Sequence, residues 1–324
     1  MKLTARAEPW PIDGEFRISR GAKTQAHIVV VEIEEDGFFG RGECVPYARY
    51  GETIDGVLST IRNLGAAHAS LTHQELDQHL PAGAARNALD CAFWDLRAKT
   101  LGKPVWDLAG LATPVPAQTC MTISLGSPQT MAADAARAAQ HWRYLKVKLD
   151  SDRVVDRLKA IEKAAPNVRL VVDANESWTI DLLREVLAQG FSTIELIEQP
   201  LPAGNDEALS TLSPPIHLCA DESVHASDTI KSLARLYQAV NIKLDKTGGL
   251  TEAIKTVTAA KKADLKIMLG CMVGTSLGMA PAMMLSSMAD VVDLDGPVLL
   301  ARDRKPALQF KDGLVFPPQP ALWG

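Results

Sequence analysis

The chain has 324 residues, of which 47% are apolar and 23% charged, with a formal net charge of −5. That length suits two domains or a large barrel with an appendage rather than one ordinary domain. A net negative, globular composition offers no basic field for nucleic acid or an anionic membrane, so a small-molecule substrate is expected.

Five scattered cysteines (Cys44, Cys91, Cys120, Cys219, Cys271) form no C-x-x-C pair. Neither a disulfide framework nor a zinc site is indicated, and a reducing cytoplasm is the expected location. The first nine residues, ending at Pro9, carry charges where a signal peptide needs an apolar segment, so export is not expected.

Taken in chain order, Ala26 to Glu34 reads as a strand, and Asp36-Gly37 is a hairpin signal leading into Phe38-Phe39-Gly40-Arg41-Gly42-Glu43. Residues 71–80 and 84–101 have helical composition. In the second stretch Leu89, Ala92, Phe93 and Leu96 recur at i, i+3, i+4 and i+7, and Gly102 and Pro104 stop it. Strands followed by helices suggest an α+β domain over 1–113, with Pro114-Val115-Pro116 at its boundary.

Beyond the boundary, short apolar runs end in ionisable residues at Lys148, Asp173, Glu198, Asp221 and Lys243, with steps of 25, 25, 23 and 22 residues, and a further run ends in Asp293-Leu294-Asp295. Helical stretches at about 130–140, 154–165, 181–189, 226–236 and 251–263 separate them. Alternation of this kind implies parallel strands and a TIM-like barrel, here 114–303, with chemistry at the strand ends. The uncharged stretch 267–289 has the length of a membrane span. Gly270, Gly274, Gly278 and Pro281 break it, so a strand, a glycine-rich loop and an apolar helix are expected instead. The tail 304–324 has no further βα unit and is expected to pack back on the first domain.

Asp173, Glu198 and Asp221 end three consecutive strands, so in a barrel their carboxylates converge. Each alone reads equally well as a helix cap; together they need a cation, and oxygen-only ligands favour a hard ion, Mg²⁺ above all. Lys146 and Lys148 leave one face of their strand, and two neighbouring ammonium groups are expected to depress each other's pKa and so favour a base. Lys243 ends the strand four places on, across the barrel. A metal-held carboxylate with a lysine on each face specifies removal of an α-proton to an enediolate and its return to the opposite face.

These residues resemble the enolase superfamily, and within it the muconate-lactonising subgroup. The matching segments are Lys146-Val147-Lys148, Asp173-Ala174-Asn175, Glu198-Gln199-Pro200, Ala220-Asp221-Glu222-Ser223 and Asn241-Ile242-Lys243 with Gly248-Gly249. Residues 88–96 with Gly102-Lys103-Pro104-Val105 look like that superfamily's capping domain. The resemblance implies a modified (β/α)7β barrel under an N-terminal α+β capping domain completed by the C-terminal tail. It also implies Asp173, Glu198 and Asp221 as Mg²⁺ ligands, Lys148 and Lys243 as the acid/base pair, and Lys146 as an electrostatic helper in contact with substrate. The histidine of the mandelate-racemase and sugar-dehydratase branches has no counterpart, since its position reads Leu269-Gly270-Cys271-Met272.

The Asp293-x-Asp295 pair resembles that of the dipeptide epimerases, particularly those acting on L-Ala-D/L-Glu. There it would bind the α-ammonium of the substrate, while Arg20 in the segment Arg20-Gly21-Ala22-Lys23 would pair with the distal Glu carboxylate. The expected reaction is Mg²⁺-dependent epimerisation of a dipeptide at its second residue, suited to degradation of cell-wall peptides. Alternatives are elimination to o-succinylbenzoate, muconate cycloisomerisation, epimerisation of other dipeptides, or a non-catalytic barrel that binds a metal or peptide. The first two use substrates without an ammonium group, which the aspartate pair would repel. The resemblance leaves a homo-oligomer open.

Overall fold

A computed structural model describes residues 1–67 and 71–324. Three antiparallel strands, β1 (Lys2–Ile18), β2 (Gly21–Glu35) and β3 (Phe38–Cys44), form the first sheet with β2 in the middle. The expected strand lies inside β2, and the predicted hairpin is made by Asp36 at φ 50° and Gly37 at φ 81°, the positive pair that a tight turn demands. Strand β1 was not anticipated, because Pro9 and Pro11 interrupt its pattern. It lies at the sheet edge, where a missing N–H costs no ladder bond.

Period-two alternation gives β2 two buried faces. Val29, Val31 and Ile33 pack with residues of the helices Ile54–Ala67 and Ala84–Leu101, whereas Ile28 and Val30 join the core that continues into the barrel. The helix Ala84–Leu101 matches its expected bounds, whereas 71–80 holds only a 3-10 turn, His73–Glu75, and a helical turn, Leu76–His79. The helix Ile54–Ala67 was not anticipated.

The chain then runs through β4 (Ala117–Gln118), β5 (Cys120–Ile123), β6 (Tyr144–Lys148), β7 (Arg169–Asp173), β8 (Ile194–Glu198), β9 (His217–Ala220), β10 (Ala239–Ile242), β11 (Lys266–Leu269) and β12 (Val291–Val292). Strands β5 to β12 make one eight-stranded parallel sheet in sequential order. It closes through a parallel bridge between Thr119 and Val292 and a bond from Leu294 N to Thr119 Oγ1 at 2.9 Å. This is a (β/α)7β barrel. Pro128–Ala138, Val154–Ala164, Ile180–Ala188 and Leu250–Lys262 are regular crossover helices, while the expected helix at 226–236 is split into a 3-10 turn, Ser227–Thr229, and Ile230–Leu233.

The uncharged stretch 267–289 contains the last three residues of β11, a loop, the short helix Ser276–Met279 and the 3-10 run Ala282–Met288. Among the described residues no helix is long and apolar enough to cross a membrane. Strands β13 (Phe310–Lys311) and β14 (Leu314–Val315) pair with each other, and β14 pairs with β4. The chain end returns to the helix Ala84–Leu101, with Trp323 Nε1 donating to Cys91 O at 3.0 Å and Gly324 N to Asp95 Oδ1 at 2.8 Å.

Inside the barrel, Cys120, Val171, Leu196, Cys219, Ala239, Met268 and Val291 form an apolar plug with Tyr144 beside it. Leu145 and Val147 point the other way, into the main core. Alternation on β6 therefore sends Lys146 and Lys148 inward, above the plug, and a one-residue slip would exchange them for Leu145 and Val147.

Candidate active site

Strand register aligns the chemistry. Lys148 pairs with Asp173 across β6 and β7, Asp173 with Glu198 across β7 and β8, and Asp221 follows β9 directly. Lys243 follows β10, four strands round the eight-stranded ring from β6. The three strands between the two lysines carry the three carboxylates. All are buried, with Asp173 and Glu198 at 0% and Lys148, the most open, at 7% exposure.

Charge is matched in pairs. Lys148 Nζ lies 2.6 Å from Asp173 Oδ2, and Lys243 Nζ 2.6 Å from Asp221 Oδ2. Lys146 Nζ stands among three acids: Glu198 Oε2 at 2.7 Å, Asp293 Oδ2 at 2.8 Å and Asp173 Oδ2 at 3.4 Å. Its contact with Glu198 lies off the hydrogen-bond direction and leaves Glu198 Oε2 without a donor. Asn241 Nδ2 donates to the other oxygen, Glu198 Oε1, at 2.6 Å.

Electrostatics follow from this crowding. Burial would lower the pKa of Lys146, but Asp293, Glu198 and Asp173 outweigh it and hold the ammonium well above the ordinary lysine value. The expected mutual depression by Lys146 and Lys148 is therefore not found at Lys146, because acids outnumber its ammonium neighbour. Lys243 is likewise raised, with Asp221 overcoming burial. Asp173 falls to about 2, where Lys148 and Lys146 overcome the burial that would raise it. Glu198 is pushed up to about 8, by burial first and then by the charge of Asp173.

The carboxylates suit a divalent cation by chemistry: they are oxygen-only donors, fully buried, on adjacent strands, with one orphaned oxygen on Glu198. As they stand they turn towards ammonium groups, and among the described residues no three acidic, thiol or imidazole groups are gathered tightly enough to grip an ion without side-chain rotation.

A cavity of about 820 Å³ opens above this layer, lined by Lys146, Lys148, Lys243, Asp293 and Asp295 among others. Asp293 and Asp295 come just after β12. Asp295 Oδ2 accepts from Thr122 N at 2.7 Å, and its pKa rises to about 7 through burial and then the neighbouring Asp293. Asp293 Oδ1 is buried without a partner.

Arg20 sits at the cavity rim, in the tip of the β1–β2 hairpin, but its terminal nitrogens are occupied. Nη1 donates to Asn175 O at 3.0 Å and Glu176 Oε2 at 3.2 Å; Nη2 donates to Tyr47 Oη at 3.0 Å and Glu222 Oε1 at 2.8 Å. Arg49 holds the same Glu176 with two bonds of 2.7 Å. Lys23 lines the cavity from the same hairpin, its ammonium 5.4 Å from the centre of the Tyr47 ring.

Sequence reasoning missed Lys246. Its Nζ contacts Asp221 Oδ1 at 2.5 Å and Asn241 O at 3.0 Å, balancing the second oxygen of Asp221. Its place three residues after Lys243, just beyond the end of β10, was the available signal. Gln199 was also missed: its Oε1 accepts from Asp221 N at 2.9 Å and Ser223 N at 3.1 Å, tying the ends of β8 and β9 together.

Comparison with known proteins agrees with this geometry. Residues 1–110 match the mandelate racemase / muconate lactonizing enzyme N-terminal domain, and residues 130–321 the enolase C-terminal domain-like family. The chain belongs to the enolase superfamily, in its mandelate racemase / muconate lactonizing branch, a group of enzymes. It is 45% identical over 311 residues to an L-Ala-D/L-Glu epimerase of Escherichia coli K12, covering 94% of this chain and 96% of that one. It is 46% identical over 301 residues to an N-acetyl-D-glutamate racemase of a Pseudoalteromonas species, covering 92% and 95%. A crystal structure of an enolase family member from Agrobacterium tumefaciens, with homology to dipeptide epimerases and with bound sodium and L-Ala-L-Glu, superposes with a TM-score of 0.96 at 47% identity over 99% of both chains. A dipeptide epimerase from Enterococcus faecalis, complexed with Mg and L-Leu-L-Tyr, gives 0.89 at 27% identity over 98% and 97%.

Proposed function

We propose that the protein epimerises a dipeptide at the α-carbon of its second residue, interconverting L-Ala-D-Glu and L-Ala-L-Glu by proton transfer between two lysines. The observation that carries this reading is the placement of Lys148 and Lys243 half a ring apart, with the carboxylates of β7, β8 and β9 between them. Relatives that act on or bind L-Ala-Glu support the substrate. Such a reaction belongs with the dismantling of cell-wall peptides.

Asp173, Glu198 and Asp221 would hold Mg²⁺, which supplies positive charge to the substrate carboxylate as its α-proton becomes acidic. One lysine takes the α-proton from its face, leaving a planar carbanionic centre; the other, as ammonium, delivers a proton to the opposite face. Lys146 adds a fixed positive charge beside the carboxylate. Asp293 and Asp295 receive the amino-terminal ammonium. Because Arg20 spends its terminal nitrogens on Glu176 and Glu222, it anchors the hairpin over the cavity, and Lys23 supplies the cation for the distal Glu carboxylate. The chain divides accordingly into a capping unit, 1–113 with 304–324, and a catalytic barrel, 114–303.

Incubation with Mg²⁺ and L-Ala-L-Glu in D₂O should place deuterium on the Glu α-carbon. Absence of exchange there and across a small dipeptide library would refute the reading. N-acetylglutamate, favoured as a second substrate by the Pseudoalteromonas relative, belongs in the same assay. The aspartate pair argues for the dipeptide.

A further inference from the structure

The two acid/base lysines are held in different ways. Lys148 is the last residue of β6, paired with Asp173, and the next amide, Leu149 N, still bonds Asp173 O at 3.0 Å. Its backbone is held by the barrel ladder, and the Phe16 ring of the first sheet lies 5.8 Å from its Nζ. Lys243 lies beyond the last paired residue of β10: the β9 pairing stops at Val240 and the β11 pairing at Ile242. It is instead the N-cap of a single helical turn, Leu244–Thr247, whose Lys246 N and Thr247 N both donate to Lys243 O at 3.0 Å.

That turn is gripped from outside the barrel. Asp245 Oδ1 accepts from Val45 N at 3.0 Å and from Asn87 Nδ2 at 2.8 Å. Arg86 Nη2 donates to Thr247 O at 2.8 Å, and Asp90 Oδ2 accepts from Thr251 N at 3.0 Å. The double glycine after the turn makes this approach possible. A Cβ on Gly248 would lie 2.4 Å from Arg86 Nε, and one on Gly249 would lie 2.4 Å from Asp90 Oδ2. Both glycines also hold positive φ, 79° and 110°.

We infer that Asn87, Asp245 and Arg86 are positioning residues for Lys243 and not for Lys148, so that docking of the helix Ala84–Leu101 onto the Leu244–Thr247 turn sets one of the two proton-transfer groups while the barrel sets the other. This rests on the two-lysine reading above. Loosening the clamp displaces the Lys243 ammonium relative to the α-carbon, and displacements of that kind are costly to proton transfer. Lys148 does not feel it.

The test is isotope washout in D₂O without inversion, measured separately from L-Ala-L-Glu and L-Ala-D-Glu. Net epimerisation falls equally in both directions because the equilibrium ties them together; washout does not. Lys243→Ala first identifies the stereoisomer that Lys243 serves. Asn87→Ala and Asp245→Ala should then lower washout from that isomer by about tenfold or more while leaving the other within about twofold. Asp245→Asn keeps an oxygen for both donors and should restore it. Washout from the Lys148 isomer reports that each variant is folded. Equal loss from both isomers, or unchanged washout from both, would overturn the inference. If wild type exchanges neither isomer, the proposed function itself fails first.

Discussion

The Asn241 side chain fills the space that a side chain on Gly270 would need. Gly270 follows β11 beside the end of β10, and a Cβ on it would lie 2.4 Å from Asn241 Oδ1, whose amide nitrogen holds Glu198. The absence of a side chain at the end of the seventh strand is thus a packing requirement of the carboxylate layer. Gly270→Ala should cost about 1–3 kcal/mol, as overpacking does, and should slow α-proton exchange by turning Asn241 away from Glu198. Thermal unfolding and the D₂O assay check the two halves separately; a variant unchanged in both would mean that Asn241 is free to move.

Asp245 predicts a pH dependence of stability. Burial, and then the charges of Glu52 and Glu43, outweigh its hydrogen bonds and raise its pKa from 3.8 to about 7. Between those values the folded state keeps a proton that the unfolded state has lost, so stability falls as pH rises through the window and levels above it. At about 1.4 kcal/mol per pH unit the ceiling is ~4 kcal/mol. Asp245→Asn removes the term, so its melting temperature should gain on wild type between pH 4 and pH 7. A difference independent of pH would show that Asp245 ionises normally.

The hairpin tip separates anchoring from recognition. Lys23→Met should raise KM for L-Ala-L-Glu by about tenfold, the worth of one charge-assisted contact, with little change for a dipeptide whose second side chain is neutral. Arg20→Met should weaken both, because it frees the hairpin from Glu176 and Glu222. Selectivity unchanged by Lys23→Met would return the distal carboxylate to Arg20.

Chelation tests the carboxylate layer. Treatment with EDTA should abolish α-proton exchange, and added Mg²⁺ should restore it. Glu198→Gln should weaken Mg²⁺ binding, measured by calorimetry, since it removes a carboxylate oxygen from the proposed ligand set. Full exchange in EDTA would remove the metal from the reaction.

The barrel was legible in the sequence because each strand that carries chemistry ends in a charged residue at near-constant spacing, and buried parallel strands leave few other signals. Lys146, Lys148, Asp173, Glu198 and Asp221 all meet in one layer for that reason. What was not legible depends on distant partners. The bonds of Arg20 to Glu176, 156 residues away, and to Glu222, 202 residues away, have no signal in the local sequence. Strand β1 was hidden by prolines that only an edge position tolerates, and the depression expected at Lys146 is reversed because three acids surround it.

The barrel closes where Thr119 meets Val292 and Leu294, and the bond from Thr122 N to Asp295 crosses that same closure. Strands β7 to β10, which bear the three carboxylates and lead to Lys243, lie away from it, whereas Lys146 of β6 reaches Asp293 at 2.8 Å. On the proposed reading, changes along this seam would alter which amino-terminal group is accepted while Lys243 and the carboxylates of β7 to β9 keep their register.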